Sequence, residues 1–259
     1  MALNPSGAIS LAGPSAGQSI AVELGLSATA AISLNDTVVR TLAQVPSGVI
    51  VMPTNFWGKS SSTTTQKAIF GYGQNPANQN ITNLVSSAGV VASDTPGVGT
   101  ARTQLAAAGY GGDKAIFGYG ATAIAPVSIT NLVSNTGVVS SDTPGVGTIR
   151  TQLAAAGYGG DKAIFGYGSA GAPINASVSL TNLVSNTGVV SSDTPGVGSA
   201  RNRLAAAIYG GDKAIFGFGG APVTSTTNLV SNTGVVASDT PGVGTARQGV
   251  AAAGYSATA

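Results

Sequence analysis

The chain has 259 residues, of which 43% are hydrophobic and only 8% are charged, and its formal net charge is +2. This composition supplies a buried core but no basic stripe, and without cysteine or histidine it excludes disulfides, zinc sites and cysteine- or histidine-based catalysis. No apolar run reaches about 18 residues, so we expect no membrane insertion, no nucleic acid, no metal and no cofactor.

Residues 1–60 predict a small N-terminal module with short helices. Ser19 and Gly25 have the positions of a helix cap and a helix stop around SIAVEL. In SLNDTVVRTLAQ, Ser33 and Asp36 have capping-box spacing. The apolar residues Leu34, Val38 and Leu42 recur every four residues and therefore fall on one face of the predicted helix. A module this small has little core of its own, so we expect it to dock on a particle through Leu34, Val38, Leu42, Phe56 and Trp57. Residues 61–66 predict a polar linker.

Residues 67–259 contain four copies of a repeat that opens with KAIFGYG or KAIFGFG. The intervals between the opening lysines are 47, 48 and 51 residues, for Lys67, Lys114, Lys162 and Lys213. All variation in length lies before TNLVS, and 39 residues remain in every period. Exposed loops tolerate insertions and paired backbone does not, so a constant scaffold carries one variable loop per copy, at 74–81, 121–129, 169–180 and 220–226.

Each scaffold contains four strand-like segments, LAAAGY, KAIFGYG, TNLVS and VVSSD, separated by turns rich in Gly and Pro. Four short strands in about 40 to 50 residues are typical of a propeller blade. Period-two alternation predicts that Phe70 and Tyr72 share one face and that Ile69 points toward the next blade.

The repeat begins at its second strand, and a first strand, VAAAGY, returns at 250–255. Pairing of this segment with 67–73 would remove both raw ends of the array. We therefore predict a mainly β fold: a four-bladed, kelch-like β-propeller at 67–259, closed by its C-terminal strand as a clasp, beside a small N-terminal helical attachment domain. The alternative is an open stack whose edges pair between chains.

An Asp precedes TPGVG in every copy, and an Arg follows it eight residues later. Four identical spacings predict a structural contact in each blade, and the pairs are Asp94–Arg102, Asp142–Arg150, Asp193–Arg201 and Asp239–Arg247. The alternative is a carboxylate pair that cleaves glycosidic bonds, which would make the chain a depolymerase. We expect no enzyme. The equivalent aromatic residues Tyr72, Tyr119, Tyr167 and Phe218 are expected in the core, with sugar stacking as the alternative.

Two resemblances follow from these motifs. The order of Arg, apolar strand, Tyr, turn and second strand loosely resembles a kelch blade, although the late Trp of kelch blades is missing. More closely, the string KAIFGYG…TNLVSNTGVV…DTPGVGTAR…AAAGY is similar to tandem repeats in structural proteins of large tailed bacteriophages, notably those that infect cyanobacteria. The segment ISLNDTVVRTLAQVPSGVIVMPTNFWGKS looks like an N-terminal module of phage tail and baseplate proteins, with TNFWGKS in place of DFYGKS.

The resemblances imply a non-enzymatic virion structural protein, an appendage or fibre of the tail, baseplate or neck that is assembled in the host cytoplasm. Its expected partners are other virion proteins and further copies of itself, as a homo-oligomer such as a trimer. The variable loops would contact the host through Asn75, Asn78, Asn80, Pro126, Asn175 and Thr224. The alternative is a carbohydrate-binding adhesin, a receptor-binding protein whose loops bind a host surface glycan.

Overall fold

The computed structural model describes residues 3–4, 6–15, 18–45, 47–56, 67–172, 174 and 176–255. The chain divides into two units, Met1–Gln66 and Lys67–Ala259. The predicted linker at 61–66 lies outside the described residues.

The first unit is mostly irregular chain around three short helical elements. These are α1 (Ile20–Glu23), α2 (Thr37–Ala43) and a 3-10 turn (Thr54–Phe56). The hydroxyl of Ser19 accepts a hydrogen bond from Val22 N–H at 3.4 Å, as expected of an N-cap. These short helices lie in the three segments that the sequence predicts, but they contain few residues, and a helical domain is not evident. None of the described helices is long and apolar enough to span a bilayer.

The core of the first unit corrects the predicted helix face. Its buried side chains are those of Leu3, Ile9, Ile20, Val39, Leu42, Ala43 and Phe56. Val38 is 54% exposed whereas Val39 is fully buried. The helix also begins later than predicted: Asp36, rather than Ser33, is the N-cap, and its carboxylate accepts a hydrogen bond from Ser33 N–H at 2.7 Å, so Leu34 precedes the helix.

The second unit is built from short antiparallel strands, which confirms the mainly β fold. The strands are β1 (Ala68–Gly71), β2 (Gln74–Asn75), β3 (Ala77–Asn78), β4 (Thr82–Val85), β5 (Ala106–Tyr110), β6 (Lys114–Gly118), β7 (Thr130–Val133), β8 (Arg150–Thr151), β9 (Ala154–Tyr158), β10 (Lys162–Gly166), β11 (Ser169–Ala170), β12 (Thr181–Val184), β13 (Ala205–Tyr209), β14 (Lys213–Gly217) and β15 (Thr227–Val230).

Four sheets, which we call layers 1 to 4, follow one another along the chain. Layer 1 is the pair β1–β4, and layers 2 to 4 have the orders β5-β6-β7, β9-β10-β12 and β13-β14-β15. Each LAAAGY strand pairs with the following KAIFG strand in one register, which in layer 2 runs from Tyr110 opposite Lys114 to Ala106 opposite Gly118. Layer 1 lacks this first strand among the described residues.

The fourth predicted strand of each repeat is not a regular strand. The VVSSD segment and the Thr that follows it make isolated bridges to the TNLV strand instead, as in the pairs Val133–Val139 and Thr130–Thr143. The first residues of DTPGVG follow at once, and proline cannot donate to a ladder, so pairing stops after these contacts.

The tyrosine after each KAIFG strand does not follow the alternation of side chains between the two faces of the sheet. Tyr72, Tyr119 and Tyr167 have φ of 65°, 64° and 63°, in the left-handed region. Phe117 therefore packs against the preceding layer, on Tyr72, while Tyr119 packs against the following layer, on Phe165. The prediction that Phe and Tyr share a face is wrong for this reason, while Ile116 does face the next layer.

The layers stack in chain order and do not close into a ring. Strand β9 lies between β5 and β13: a Cβ added at Gly157 would lie 2.9 Å from Ile208 Cδ1 and 3.5 Å from the Gly109 carbonyl oxygen. The segment 250–255 continues this row, because a Cβ at Gly254 would lie 2.6 Å from the Ile208 carbonyl oxygen. It therefore lies on layer 4 rather than beside β1, and the predicted clasp and propeller are wrong for the single chain.

The close approach of the following layer requires glycine at the end of the KAIFG strands of layers 1 to 3. A Cβ added at Gly166 would lie 2.6 Å from Phe216 Cζ, whereas at Gly217 it would meet Thr227 Cγ2 at 3.2 Å and no aromatic ring. We expect Gly166→Ala to lower the free energy of unfolding by about 1–3 kcal/mol, since overpacking displaces the ring. Gly217→Ala is the matched control and should cost less. Urea unfolding followed by circular dichroism measures both, and equal losses would contradict the packing argument.

Candidate functional site

Three copies of one side-chain cluster hold the four layers together, and we call each copy a joint. A joint takes a Tyr and an Arg from one layer and its outgoing connection, and a Phe, an Asn and an Asp from the next layer. The joints contain Tyr72, Arg102, Phe117, Asn131 and Asp142, then Tyr119, Arg150, Phe165, Asn182 and Asp193, then Tyr167, Arg201, Phe216, Asn228 and Asp239.

The tyrosine is the centre of each joint. In the second joint the ring centroids of Tyr119 and Phe165 are 5.2 Å apart at an interplanar angle of 59°, which is a favourable tilted arrangement. The Tyr119 hydroxyl donates to the Val146 carbonyl oxygen at 3.2 Å, so the buried phenol is satisfied. In the third joint, burial raises the pKa of Tyr167 to about 12, so this hydroxyl remains a donor at neutral pH.

The arginine lies over the tyrosine and is buried. Arg102 is 0% exposed, and its guanidinium carbon lies 4.5 Å from the centroid of Tyr72, within cation–π range. Its nitrogens donate to the side-chain oxygen of Asn131 at 2.6 Å and to the Tyr119 carbonyl oxygen at 3.0 Å. Arg102 thus connects its own layer to two points of the next layer.

The aspartate receives donors from the preceding connection. Asp142 accepts hydrogen bonds from the N–H and hydroxyl of Thr100, at 3.0 and 2.6 Å, and from Asn131 Nδ2 at 2.9 Å. Arg102 Nη1 lies 3.5 Å from the same carboxylate. Burial alone would raise the pKa of Asp142, but the hydrogen bonds from Thr100 and Asn131, together with the charge of Arg102, hold it below its usual value.

These contacts correct the predicted Asp–Arg pairs. The ion pairs run between repeats rather than within one: Arg102 with Asp142 at 3.5 Å, and Arg201 with Asp239 at 3.6 Å. Arg150 donates to Asn182 and to the Leu180 carbonyl oxygen. The constant offset of eight residues between Asp and Arg therefore does not mark a contact within one repeat. It recurs because the whole repeat recurs, and the buried arginines contact the following layer.

The hydrogen bonds of the joint use both oxygens of its aspartates. Asp142 and Asp193 each accept hydrogen bonds from a Thr N–H, a Thr hydroxyl and an Asn side chain, which occupies both carboxylate oxygens. Among the described residues, no cluster of three or more Asp or Glu side chains is placed to hold a metal ion. What the arrangement can do is hold layers together, and the chemistry is that of a buried structural network.

Comparison with known proteins adds no family to this description. No protein-family model matches the chain, and no curated protein matches it.

Both outer layers carry half of a joint. On layer 1, Phe70 is 62% exposed, and Asn83 Nδ2 donates to Asp94 at 2.8 Å, as Asn131 does to Asp142. On layer 4, Arg247 is exposed and its guanidinium carbon lies 4.5 Å from the centroid of Phe218. The predicted members Asp94 and Arg247 thus lie on opposite outer layers.

The variable loops of neighbouring repeats contact one another. Asn78 Nδ2 donates to the Ala121 carbonyl oxygen at 3.0 Å. A Cβ added at Gly171, in loop 169–180, would lie 3.1 Å from Pro126 Cγ, in loop 121–129. Asn80, Pro126 and Thr224 are also partly buried, whereas Asn75 is exposed, and Asn175 lies outside the described residues. Of the predicted host-contact residues, Asn75 is therefore the best exposed, and the loop tips add Ile124, Ile174 and Val223.

The predicted docking residues of the first unit also include both buried and exposed side chains. Leu42 and Phe56 are in the core of the unit, Leu34 packs partly against it, and Trp57 lies outside the described residues. Val38 is exposed, and so is Val49, at 83%. The two buried residues cannot contact a partner without unfolding, so the exposed valines are the better candidates.

The depressed carboxyl pKa values make the joints sensitive to acid. Burial opposes ionisation of Asp142, Asp193 and Asp239, but hydrogen bonds and arginine charge lower the pKa of each overall. A folded pKa below the unfolded value gives stability that is present above about pH 4 and is lost as the pH falls through the folded pKa. We expect urea unfolding at pH 3 to need less denaturant than at pH 7. A variant with Asn at all three positions should show a flatter pH profile, and an unchanged profile would contradict this role.

Proposed function

We propose that this chain is a non-enzymatic structural protein of a bacteriophage virion, an appendage of the tail, baseplate or neck. Its first unit attaches it to the particle, and its stacked layers project outward. Two independent points support this proposal. One is the similarity of the repeat and of the N-terminal segment to phage structural proteins. The other is the use of the few charged residues.

The joints are the observation that carries the proposal. The chain has only eleven Lys and Arg residues, and three of these are arginines that are at most 1% exposed. Burying a charge is costly unless it is paired and hydrogen-bonded. Each of these arginines donates to the side-chain oxygen of an Asn in the following layer, although Nε of Arg150 and of Arg201 is buried without a hydrogen-bond partner. A chain that buries several of its few charges in repeated contacts between layers is suited to be a rigid structural spacer. Stacked repeats of this kind form extended, quasi-one-dimensional bodies.

A particle experiment tests this function with the full-length protein. Immunogold labelling with an antibody against the layers should mark one region of purified virions. Val38→Asp combined with Val49→Asp should reduce incorporation, because both valines are exposed apolar groups on the first unit. Val235→Asp is the matched control, since Val235 is 66% exposed on layer 4. Virions without the protein would contradict the proposed function, and normal incorporation of the double variant would contradict the attachment surface.

The contiguous loops favour a second candidate, an adhesin that binds a host surface glycan. The loops differ in sequence and length while their supporting layers do not, and loop 121–129 lies against both loop 74–81 and loop 169–180. Exchange of loop 121–129 for loop 220–226 should then change binding on a glycan array. Sugar stacking by Tyr119 and Tyr167 is not part of this candidate, because both rings are buried.

A further inference from the structure

We propose that copies of this protein bind one another head to tail, so that layer 4 of one copy forms a fourth joint with layer 1 of the next. The inference rests on the two half-joints and does not depend on a viral function. We call the exposed surface of layer 1 the acceptor end and that of layer 4 the donor end. The acceptor end contains Phe70, Asn83, Asp94 and β1, and the donor end contains Phe218, Gly244, Thr245, Arg247 and 250–255.

The acceptor end lacks the partners that its equivalents have inside the stack. Phe70 is 62% exposed, whereas Phe117 is 4% exposed and Phe165 and Phe216 are fully buried. Strand β1 pairs with β4, and among the described residues its other edge has no partner strand, whereas β6 has a strand on both sides. A free edge beside an exposed aromatic ring is a template for an added strand.

The donor end presents the missing strand in the position of a fifth layer. Within the stack, Gln152 N–H donates to the Gln104 carbonyl oxygen, and Arg203 N–H donates to that of Gln152. Gly249 N–H continues this ladder to Arg203 at 2.8 Å. The following residues, VAAAGY, repeat the sequence of the first strands but pair with no strand and are exposed from Ala251 to Tyr255.

The two ends are complementary in charge and in shape. In the joints, a Thr or Ser N–H and hydroxyl and the arginine face the aspartate of the next layer, so Thr245 and Arg247 would face Asp94 of the next copy. Phe218 would meet Phe70 as Tyr167 meets Phe216. The added strand would take the register of the hairpins, with Tyr255 opposite Lys67 and Ala251 opposite Gly71, as Tyr110 lies opposite Lys114.

A second copy is the occupant that this geometry selects. Within one chain the two ends lie on the outer faces of layers 1 and 4, with layers 2 and 3 between them. Two different surfaces of the same protein that fit each other form a heterologous interface, and such an interface builds open chains unless rotation closes a ring. The proposal therefore predicts a mass that keeps rising with concentration above the 25.0 kDa of one copy.

Mixing of two end-blocked variants tests the proposal. Phe70→Asp blocks the acceptor end, and Arg247→Ala blocks the donor end. Both side chains are exposed, so each variant should keep the circular dichroism spectrum and urea midpoint of the unmodified protein. In sedimentation velocity, each variant alone should be a monomer, and an equimolar mixture should form a dimer with one copy of each. A symmetric contact cannot give this result, because it would use the same surface on both copies.

A third variant reports on close approach at the new joint. A Cβ added at Gly198 would collide with Asp239 and Asn228, whereas at Gly244 it meets no atom within 4 Å. In a head-to-tail assembly, Gly244 faces Asp94 of the next copy, so Gly244→Ala should weaken association about tenfold or more. Because Gly244 has φ of 83°, Ala also strains the backbone of the single copy by about 1–2 kcal/mol. Gly112→Ala is the matched control, since Gly112 has φ of 80°, open space around it and a place inside the stack, and this variant should associate normally.

Three outcomes would overturn the proposal. The unmodified protein could stay at the mass of one copy at all concentrations. It could form a closed oligomer whose mass is the same in both end-blocked variants. The two variants could also remain monomeric when mixed. Each result is decided by mass alone and is independent of whether the protein is found on a virion.

Discussion

Replacement of Phe165 by alanine lowers the free energy of unfolding of the stack by about 3–5 kcal/mol. Phe165 is fully buried between layers 2 and 3, where its ring packs on Tyr119 and belongs to the cluster of Leu153, Ala163 and Val184. Truncation removes this contact area and leaves a cavity that the two flanking sheets cannot close without separating. Urea unfolding by circular dichroism measures the loss.

The equivalent residue of layer 1 provides the control for this experiment. Phe70 has the same position in its repeat but is 62% exposed. Phe70→Ala should change the stability of an isolated copy by no more than about 0.5 kcal/mol, the usual range of a surface substitution. Similar losses for the two variants would mean that the layers do not stack as described.

Replacement of Arg201 by alanine is expected to cost about 2–3 kcal/mol of unfolding free energy, because it leaves a buried hydrogen-bond acceptor without its donor. Arg201 is 1% exposed, lies over Tyr167 at 4.7 Å and donates to Asn228 at 2.6 Å. Without it the buried Asn228 side-chain oxygen loses its donor, and Asp239 loses the neighbouring positive charge. Arg201→Lys should recover only part of the loss, since an ammonium cannot form the same planar fork.

Arg247→Ala is the matched control for the buried arginine. Arg247 also lies over an aromatic ring, that of Phe218, but it is exposed. Its removal should cost less than about 1 kcal/mol, as for most exposed charged groups. A large loss of unfolding free energy in this variant, or a small loss in Arg201→Ala, would show that burial in the joint does not determine how much the arginine stabilises the fold.

The strand content was predictable because it depends on local signals. The KAIFG and TNLV segments alternate between glycine-rich turns, and the constant spacing of the frame marked the variable loops correctly. The Ser19 cap was predictable for the same reason, since a cap depends on residues within one turn. The prediction of a fourth strand at VVSSD was wrong, because a segment that makes only isolated bridges can have the same apolar pattern as a regular strand.

The joints could be found from the sequence only in part. The repeated Asp, Arg and Tyr were visible, but their partners lie in the next repeat, and equal spacing cannot distinguish a contact within a repeat from one between repeats. The repeated Asn of TNLV, exemplified by Asn131, is a sequence signal for the joints, because a polar residue in a buried strand needs a hydrogen-bond partner. The left-handed backbone at Tyr119 had no such signal beyond its two flanking glycines.

The use of one joint throughout the stack has a consequence for the gene. Removal of the 48 residues from Lys114 to Asp161 would bring Tyr72 and Arg102 against Phe165 and Asn182, which are the same partners in kind. In-frame recombination between repeats would therefore remove or add whole layers while every joint keeps the same kinds of partners, and only the contacts between variable loops would change. The number of layers can therefore change by inheritance while the joints between them are preserved.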